Sequence, residues 1–315
     1  MIPKILCHGG VAAPASAADG AEAAARAGAR FLARGALEAA VAATVALEDD
    51  PRFNAGTTSN ACLDGRTVEM DAAVMDSTGR LGAVAAIRRV RNPVLAARAV
   101  CDSPHVLLVG EGATRLARKL GLRGASGVRG RAREMHAEAM VRLRENRPGG
   151  QYRGFRGGLW RTFWNFPGEA PAPDGHGGRR LAGGEHCSDT VGAVAMDRFG
   201  RFAATSSTGG CLLMLMGRVG DSPIAGAGLY AGSAGAVTCT GLGEEIIRRV
   251  LAYRVYLWME EGVPAQKACD RAVALFPRKI TVGILALDRA GTGIAANRRM
   301  PAAGVAVRGG TIASL

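Results

Sequence analysis

Candidate chemistry in this chain begins with a threonine. Thr190 follows a polar, Gly-rich stretch and opens TVGAVAMD, an alternating apolar run whose period of two predicts a buried strand. Taken alone, a threonine there is a strand residue chosen for β-propensity. Cutting the Asp189–Thr190 bond would instead place a hydroxyl and a free α-amine on one residue. An α-amine titrates near about 7.7 to 8.0 when unperturbed, so near neutral pH part of it can take the hydroxyl proton, directly or through a water. One residue then supplies both nucleophile and base. Further polar sets follow: Thr208 in SSTGG, Arg218 and Asp221 in GRVGD, and Thr240, Gly241 and Gly243 in TGLG. A guanidinium can grip a carboxylate bidentately, an aspartate answers an ammonium, and a Gly-rich turn opening a helix turns N–H groups toward a developing oxyanion. Asn54, in FNAG, is by itself a turn former.

These residues need a scaffold, and hydrophobic periodicity outlines one. PKILCH (3–8) reads as a strand, 17–48 as two Ala-rich helices, and 66–88 as two strands about a turn. NPVLAARAV, HVLLVG and GATRLARKLG read as helix, strand and helix. From about 121 to 189 the pattern fades. A short helical stretch, AREMHAEAMVRLRE, gives way to a Gly-, Pro- and Arg-rich run that reads as loop or disorder. Order resumes at Thr190 with TVGAVAMD and RFAATSST as a hairpin around DRFG. GLYAG and GAVTCT then read as strands, GEEIIRRVLAYRVYLWMEEG and PAQKACDRAVALF as amphipathic helices, and KITVGILALD and GVAVRG as closing strands. Helices grouped around strand pairs with tight turns predict a layered α+β fold rather than a doubly wound parallel sheet.

With 315 residues, 48% hydrophobic and 21% charged, the chain can bury a full core. No apolar run approaches the roughly 18 residues of a membrane span, and MIPKILCHGG lacks the regions of a signal peptide. A cytoplasmic location is expected. The seven scattered cysteines form no CxxC pair, which argues against a disulfide framework or zinc site. The net charge of +13 is concentrated between Arg115 and Arg180. Fourteen arginines and Lys119 there face Glu134, Glu138, Glu145, Glu169 and Asp174, an excess of ten. The rest is close to neutral, so the basic character belongs to a linker at about 122–189.

The motifs HGG (8–10), LEDDPRFNAG (47–56), VEMDAAVMD (68–76), NPVLAARAV with SPHVLLVGEGA, DTVGAVAMD, SSTGG, GRVGDSPIAGAGLYA and TCTGLGEEIIR occur in this order. In this the chain resembles the plant-type asparaginases, or isoaspartyl peptidases, N-terminal nucleophile hydrolases that use threonine. The resemblance spans nearly everything except the linker. It implies a four-layer αββα sandwich, self-cleavage between Asp189 and Thr190, an α subunit (1–189) and a β subunit (190–315), and a homodimer of such α/β pairs. It implies Thr190 as nucleophile, Thr208 as the hydroxyl touching it, and Arg218 and Asp221 as grips for a substrate's α-carboxylate and α-ammonium. Thr240 and Gly241 would form the oxyanion hole, Gly243 would line the pocket, and Asn54 would help orient the new amine. The implied reaction is hydrolysis of L-asparagine and β-aspartyl peptides without a catalytic cofactor or metal, with a structural sodium ion near residues 47–56.

Two departures bear on these expectations. Thr58 stands where the family usually has a glycine two residues past NAG, which affects the sodium-binding loop. Between STGG and GRVGD the family has polar residues ending in Asn and Lys, whereas this chain has CLLMLM, so the entrance favours a bulky or apolar leaving group over ammonia. Glycosylasparaginases and arginine-releasing β-aspartyl dipeptidases share the Thr/Arg/Asp set and remain alternatives. A different class is suggested by QYRGFRGGLWRTFW (151–164), where arginines alternate with aromatics as in single-strand nucleic-acid binders. HVLLVGEGATR has a strand, GxG and a helix, but Arg115 takes the place of the third glycine of a dinucleotide fingerprint.

Overall fold

The computed structural model describes residues 1–125, 127–148, 150–171 and 190–315. Strand β1 (Lys4–His8) pairs on one side with β5 (Val191–Met196) and on the other with β11 (Ala302–Arg308), which carries the edge strand β12 (Thr311–Ser314). Beyond β5 lie β6 (Phe202–Thr208), β2 (Met70–Asp76), β3 (Leu81–Ile87) and the short β4 (Leu107–Val109). All the pairings in this eight-stranded sheet are antiparallel except β3–β4. A second, antiparallel sheet runs β10 (Thr292–Ala296), β9 (Val282–Leu287), β8 (Gly235–Gly241), β7 (Leu229–Gly232).

Period-two alternation decides which residues meet which layer. Ile5 and Cys7 of β1, with Val191, Ala193 and Ala195 of β5, join the cluster beneath α1 (Ala18–Ala29), α2 (Ala36–Asp49) and α3 (Pro93–Val100). Their neighbours Leu6, Val194 and Met196 point the other way, into a layer shared with Phe202, Leu229 and Leu285. The outer face of the second sheet packs through Val237, Cys239 and Ile284 against α7 (Leu251–Glu260) and α8 (Ala265–Ala274). The result is helix, sheet, sheet, helix: the four-layer αββα sandwich. The Ala-rich helices suit this closeness, because Ala24, Ala25, Ala39, Ala40 and Ala43 are buried with side chains small enough to let helix and sheet approach.

The structure departs from the periodicity in three places. The run GEEIIRRVLAYRVYLWMEEG breaks into α6 (Gly243–Arg249) and α7 at Val250, which adopts a left-handed conformation (φ 47°). There the first amides of α7 leave the helix ladder: Ala252 N–H donates to the Ala227 carbonyl (3.1 Å) and Tyr253 N–H to that of Gly226 (2.9 Å). Strands β10 and β12 are short pieces of partly exposed edge with weak alternation.

The third departure concerns the basic linker. Its helix is present as α5 (Gly130–Arg144), but the Arg/aromatic run beyond it is partly packed: its arginines and Phe163 stay at or near the surface while two of its aromatic positions are buried. 3-10 turns across Gly150–Arg161 bring Trp160 (1% exposed) and Phe166 (6%) into a cluster with Met140, Leu143, Cys62, Leu63 and Leu212–Met214. The CLLMLM run is the apolar seat of this arm. Trp160 also carries the Arg161 guanidinium over its ring at 4.4 Å, and Tyr152 stacks on Phe155 (5.9 Å). The aromatics that suggested nucleic-acid stacking are thus partly used in internal packing. Removing a buried Trp costs about 3–5 kcal/mol. Trp160→Ala is therefore expected to release the arm, with trypsin cutting between residues 142 and 161 at least about tenfold faster than in the parent protein; equal digestion rates would show that this cluster does not hold it.

Candidate active site

Thr190 immediately precedes β5 and is 2% exposed. Val191 pairs with Ser207 across the antiparallel β5–β6 ladder, so the next rung sets Thr190 opposite Thr208. Residues facing each other on such a rung have Cβ atoms about 5 Å apart, within reach of two hydroxyls. Strand parity turns both toward the layer between the sheets, with Gly192 and Val194. Asp189, the other side of the expected scissile bond, lies outside the described residues.

Behind Thr208 the chain makes a glycine turn that Asn54 ties down. The Asn54 amide donates to the Gly210 carbonyl (2.7 Å), its Oδ1 accepts from the Asn60 N–H (2.8 Å), and its own carbonyl accepts from Gly209 N–H (2.9 Å). Asn60 adds a second bond to the Gly210 carbonyl (3.1 Å), and Gly210 N–H donates to Thr208 Oγ1 (3.1 Å). In the uncut chain Asn54 therefore acts on Thr208 through this turn.

The two sheets are joined directly beside Thr190. Thr238 of β8 donates its hydroxyl to the Thr205 carbonyl (3.1 Å) and lies 3.5 Å from His8 Nε2. A side chain at Gly192 would run into Thr238, His8 and the Thr205 carbonyl together. His8 is fully buried against the Thr190 backbone. Burial lowers its pKa to about 3, an effect that the Thr190 backbone only partly offsets, so the ring is neutral. Two residues along the same face of β8 sits Thr240. Its Oγ1 accepts from Val11 N–H (3.3 Å), which leaves its own proton free to be donated. Gly241 follows with φ 139°, where a Cβ would strike the Thr281 carbonyl, so only glycine fits the exit from β8 into α6.

Arg218, Asp221 and Gly243 form a second group. A Cβ on Gly243 would lie 2.9 Å from both Arg218 Nη2 and Asp221 Oδ1, so the missing side chain is what lets the three converge. Arg218 donates from Nε and Nη2 to one oxygen of Glu244 (3.0 and 2.9 Å), while Nη1 makes no bond among the described residues. Asp221 is 3% exposed, and its Oδ2 has no partner there. Burial raises its pKa to about 7 against the opposing pull of Arg218. A buried carboxylate with no partner among the described residues, beside a guanidinium edge that makes no bond there, has the charge pattern to receive a ligand that carries both an ammonium and a carboxylate. The loop bearing them hangs from two acids at β2. Glu69 accepts from Gly217 N–H (2.6 Å), and Asp71 accepts from Gly220 N–H (3.2 Å) and Ala86 N–H (2.8 Å).

The residues named from sequence thus fall into connected groups on the inner faces and ends of β5, β6 and β8. The site also uses His8, Glu69, Asp71 and Glu244, to which sequence reasoning assigned no part. Each lies in a motif already visible, HGG, VEMD or TGLGE, but its partner is remote in the chain, so neither spacing nor periodicity reveals it.

In the segment around 47–56, where the resemblance implies a sodium ion, two carbonyls accept from side-chain donors. The Phe53 carbonyl already accepts from Thr58 Oγ1 (2.7 Å), and the Gly56 carbonyl from Ser59 Oγ (2.8 Å). The threonine at the unusual position thus brings its own donor to the Phe53 carbonyl.

Comparison with known proteins gives concordant results. The family model described as asparaginase matches residues 3–311. The chain is 40% identical to the plant-type L-asparaginase of Pyrococcus horikoshii over 84% of its length and 81% of that protein. It is 36% identical to the isoaspartyl peptidase/L-asparaginase of Danio rerio (93% and 88%) and 41% identical to the isoaspartyl peptidase of Salmonella typhimurium (76% and 69%). With a family model covering nearly its whole length and relatives of this similarity, the chain belongs to the asparaginase family.

Proposed function

We propose that this protein is a threonine amidohydrolase that cleaves itself before Thr190 and then hydrolyses L-asparagine and β-aspartyl (isoaspartyl) peptides. The reading rests above all on one observation. Asp221, with an oxygen that has no partner among the described residues, stands beside the open edge of Arg218, and Asp71, which holds the Gly220 amide of their loop, is the β2 rung partner of Thr208; we read the two groups as one site.

Maturation uses the same hydroxyl. Thr190 Oγ adds to the Asp189 carbonyl carbon and gives up its proton, the C–N bond breaks as the nitrogen takes a proton and becomes the free Thr190 α-amine, and water then hydrolyses the resulting ester, releasing the Asp189 carboxylate and restoring the Thr190 hydroxyl. That amine, oriented with help from the turn anchored by Asn54, then acts as base. It accepts the Thr190 hydroxyl proton as Oγ adds to the side-chain carbonyl of the substrate, whose α-groups Arg218 and Asp221 hold. The Thr240 hydroxyl and the Gly241 turn stabilise the oxyanion. Collapse expels ammonia or a peptide amine, which leaves with the transferred proton. Water then attacks the threonyl ester and releases L-aspartate. No step involves a sodium ion. The reading includes a homodimer of α/β pairs and a reducing, cytoplasmic setting, the latter supported by six described cysteines without a disulfide. None of the helices among the described residues is long and apolar enough to cross a membrane.

Intact mass after incubation at neutral pH is expected to show two fragments, the smaller beginning at Thr190. Thr190→Ala stays one chain and does not hydrolyse asparagine; a variant that still did either would overturn the mechanism. The Asp221 carboxyl is protonated below about 7 and then cannot answer an ammonium. The inhibition constant for L-aspartate is therefore expected to rise about tenfold per pH unit below that value, a dependence that Asp221→Asn removes and that a flat profile would contradict. Gly243→Ala wedges Arg218 from Asp221 and is expected to raise KM for asparagine at least about tenfold while self-cleavage proceeds; an unchanged KM would place substrate recognition elsewhere.

A further inference from the structure

Beside the Arg218–Glu244 pair lies a cavity of about 400 Å³ with sharply divided walls. One end is Arg218 and Glu244 themselves. The rest of the lining is mostly apolar: Leu213, Met214 and Leu215 from the CLLMLM run together with its Cys211, Leu242 before α6, and Tyr152 and Phe155 from the arm. Arg248 stands at the rim. The apolar wall is a built surface. Leu63 N–H donates to the Met214 carbonyl (2.9 Å), Leu213 N–H donates to that of Ala61 (3.3 Å), and Leu213 is held at φ 59°, a conformation disfavoured for a branched side chain. Trp160 and Phe166 support the run from behind.

We infer that this cavity is the leaving-group subsite and that it selects β-aspartyl dipeptides whose second residue is a large apolar one, such as leucine or phenylalanine. The inference rests on the proposed function and specifies its substrate. On this assignment the aspartyl α-groups lie at Arg218 and Asp221 and the departing amine with its side chain in the cavity, which shares Arg218 with that grip. An apolar side chain there displaces water from Leu213, Met214, Leu215 and Phe155, whereas ammonia leaves that surface wet. The free carboxylate of a dipeptide meets the Arg248 guanidinium, two-thirds of whose side chain is exposed at the rim. The subsite is shared between the two fragments, because Tyr152 and Phe155 precede Thr190 and CLLMLM follows it. The retained arm is therefore part of the binding surface.

The test compares kcat/KM of the fully cleaved protein for β-Asp-Leu, β-Asp-Phe, β-Asp-Ala, β-Asp-Leu amide and L-asparagine. Added apolar carbons in a fitted pocket are worth about 10-fold or more in discrimination. β-Asp-Leu and β-Asp-Phe are expected to exceed β-Asp-Ala at least about tenfold, and β-Asp-Leu to exceed its amide. Phe155→Ala and Leu215→Ser, each first confirmed by mass to have cut itself before Thr190, are expected to reduce the Leu/Ala ratio to within about threefold of unity, chiefly through KM. Equal values for leucine and alanine in the parent protein would overturn the subsite while leaving the proposed function standing. A cleaved protein inactive on all five compounds would overturn both.

Discussion

One cross-sheet contact governs the rest of the structure: the Thr238 hydroxyl donated to the Thr205 carbonyl above Gly192, with His8 closing the other side. The two sheets otherwise meet through apolar side chains, a contact that fixes their spacing but not their register. A directional bond between buried groups fixes register as well, since misalignment would leave both groups desolvated and unpaired. Because Thr238 and Thr240 lie on one face of β8, and Gly192 and Thr190 on one face of β5, the bond that aligns the first of each pair also aligns the second. Thr240 belongs to the Thr190 site for that reason. Glycine at 192 and a neutral, buried His8 are the conditions under which the contact can form.

This arrangement separates the two jobs asked of Thr190. Strand β5 is paired on both sides, with β1 and β6, and all six of its residues are buried. Its ladder therefore holds Cα and Cβ of the preceding residue before any bond is cut. Cleavage then adds an amine without requiring the hydroxyl to move. The Asn54 turn serves the same end by fixing the far end of β6, so that Thr208 is held through backbone rather than through a long side chain.

Charge is arranged around Arg218 in deliberate imbalance. Glu244 takes two of its nitrogens, while Asp221 and Asp71, both buried, have pKa values pushed up to about 7 and about 6 by desolvation. Asp71 is satisfied by two backbone amides, so its task is to hold the loop. Asp221 has an oxygen with no partner among the described residues, and burial raises its pKa. Beyond this group the chemistry ends abruptly at the apolar residues of the CLLMLM run. The packed arm covers them, and the excess of arginine in that arm lies on its outer side, where Arg153 and Arg156 are exposed.

Local pattern carried much of this. Alternation in TVGAVAMD and RFAATSST placed the central hairpin, and the β5–β6 register then set Thr190 opposite Thr208. The Ala-rich helices and the family motifs named Arg218, Asp221, Thr240 and Gly243. Composition misled in part of the arm, because Gly, Pro and Arg outweighed five spaced aromatics whose value depends on an apolar seat some fifty residues away. It also missed the kink at Val250, which exists because two loop carbonyls capture the first amides of α7. The sequence by itself determined which residues could react and which side of each strand they occupy, since these follow from residue type and a period of two. Only the tertiary structure decided which distant groups meet: Thr238 with Thr205, Glu69 and Asp71 with the Arg218 loop, and Phe155 with Leu215. Such pairings arise from the stacking of sheets and the closure of long loops, and no local preference encodes them.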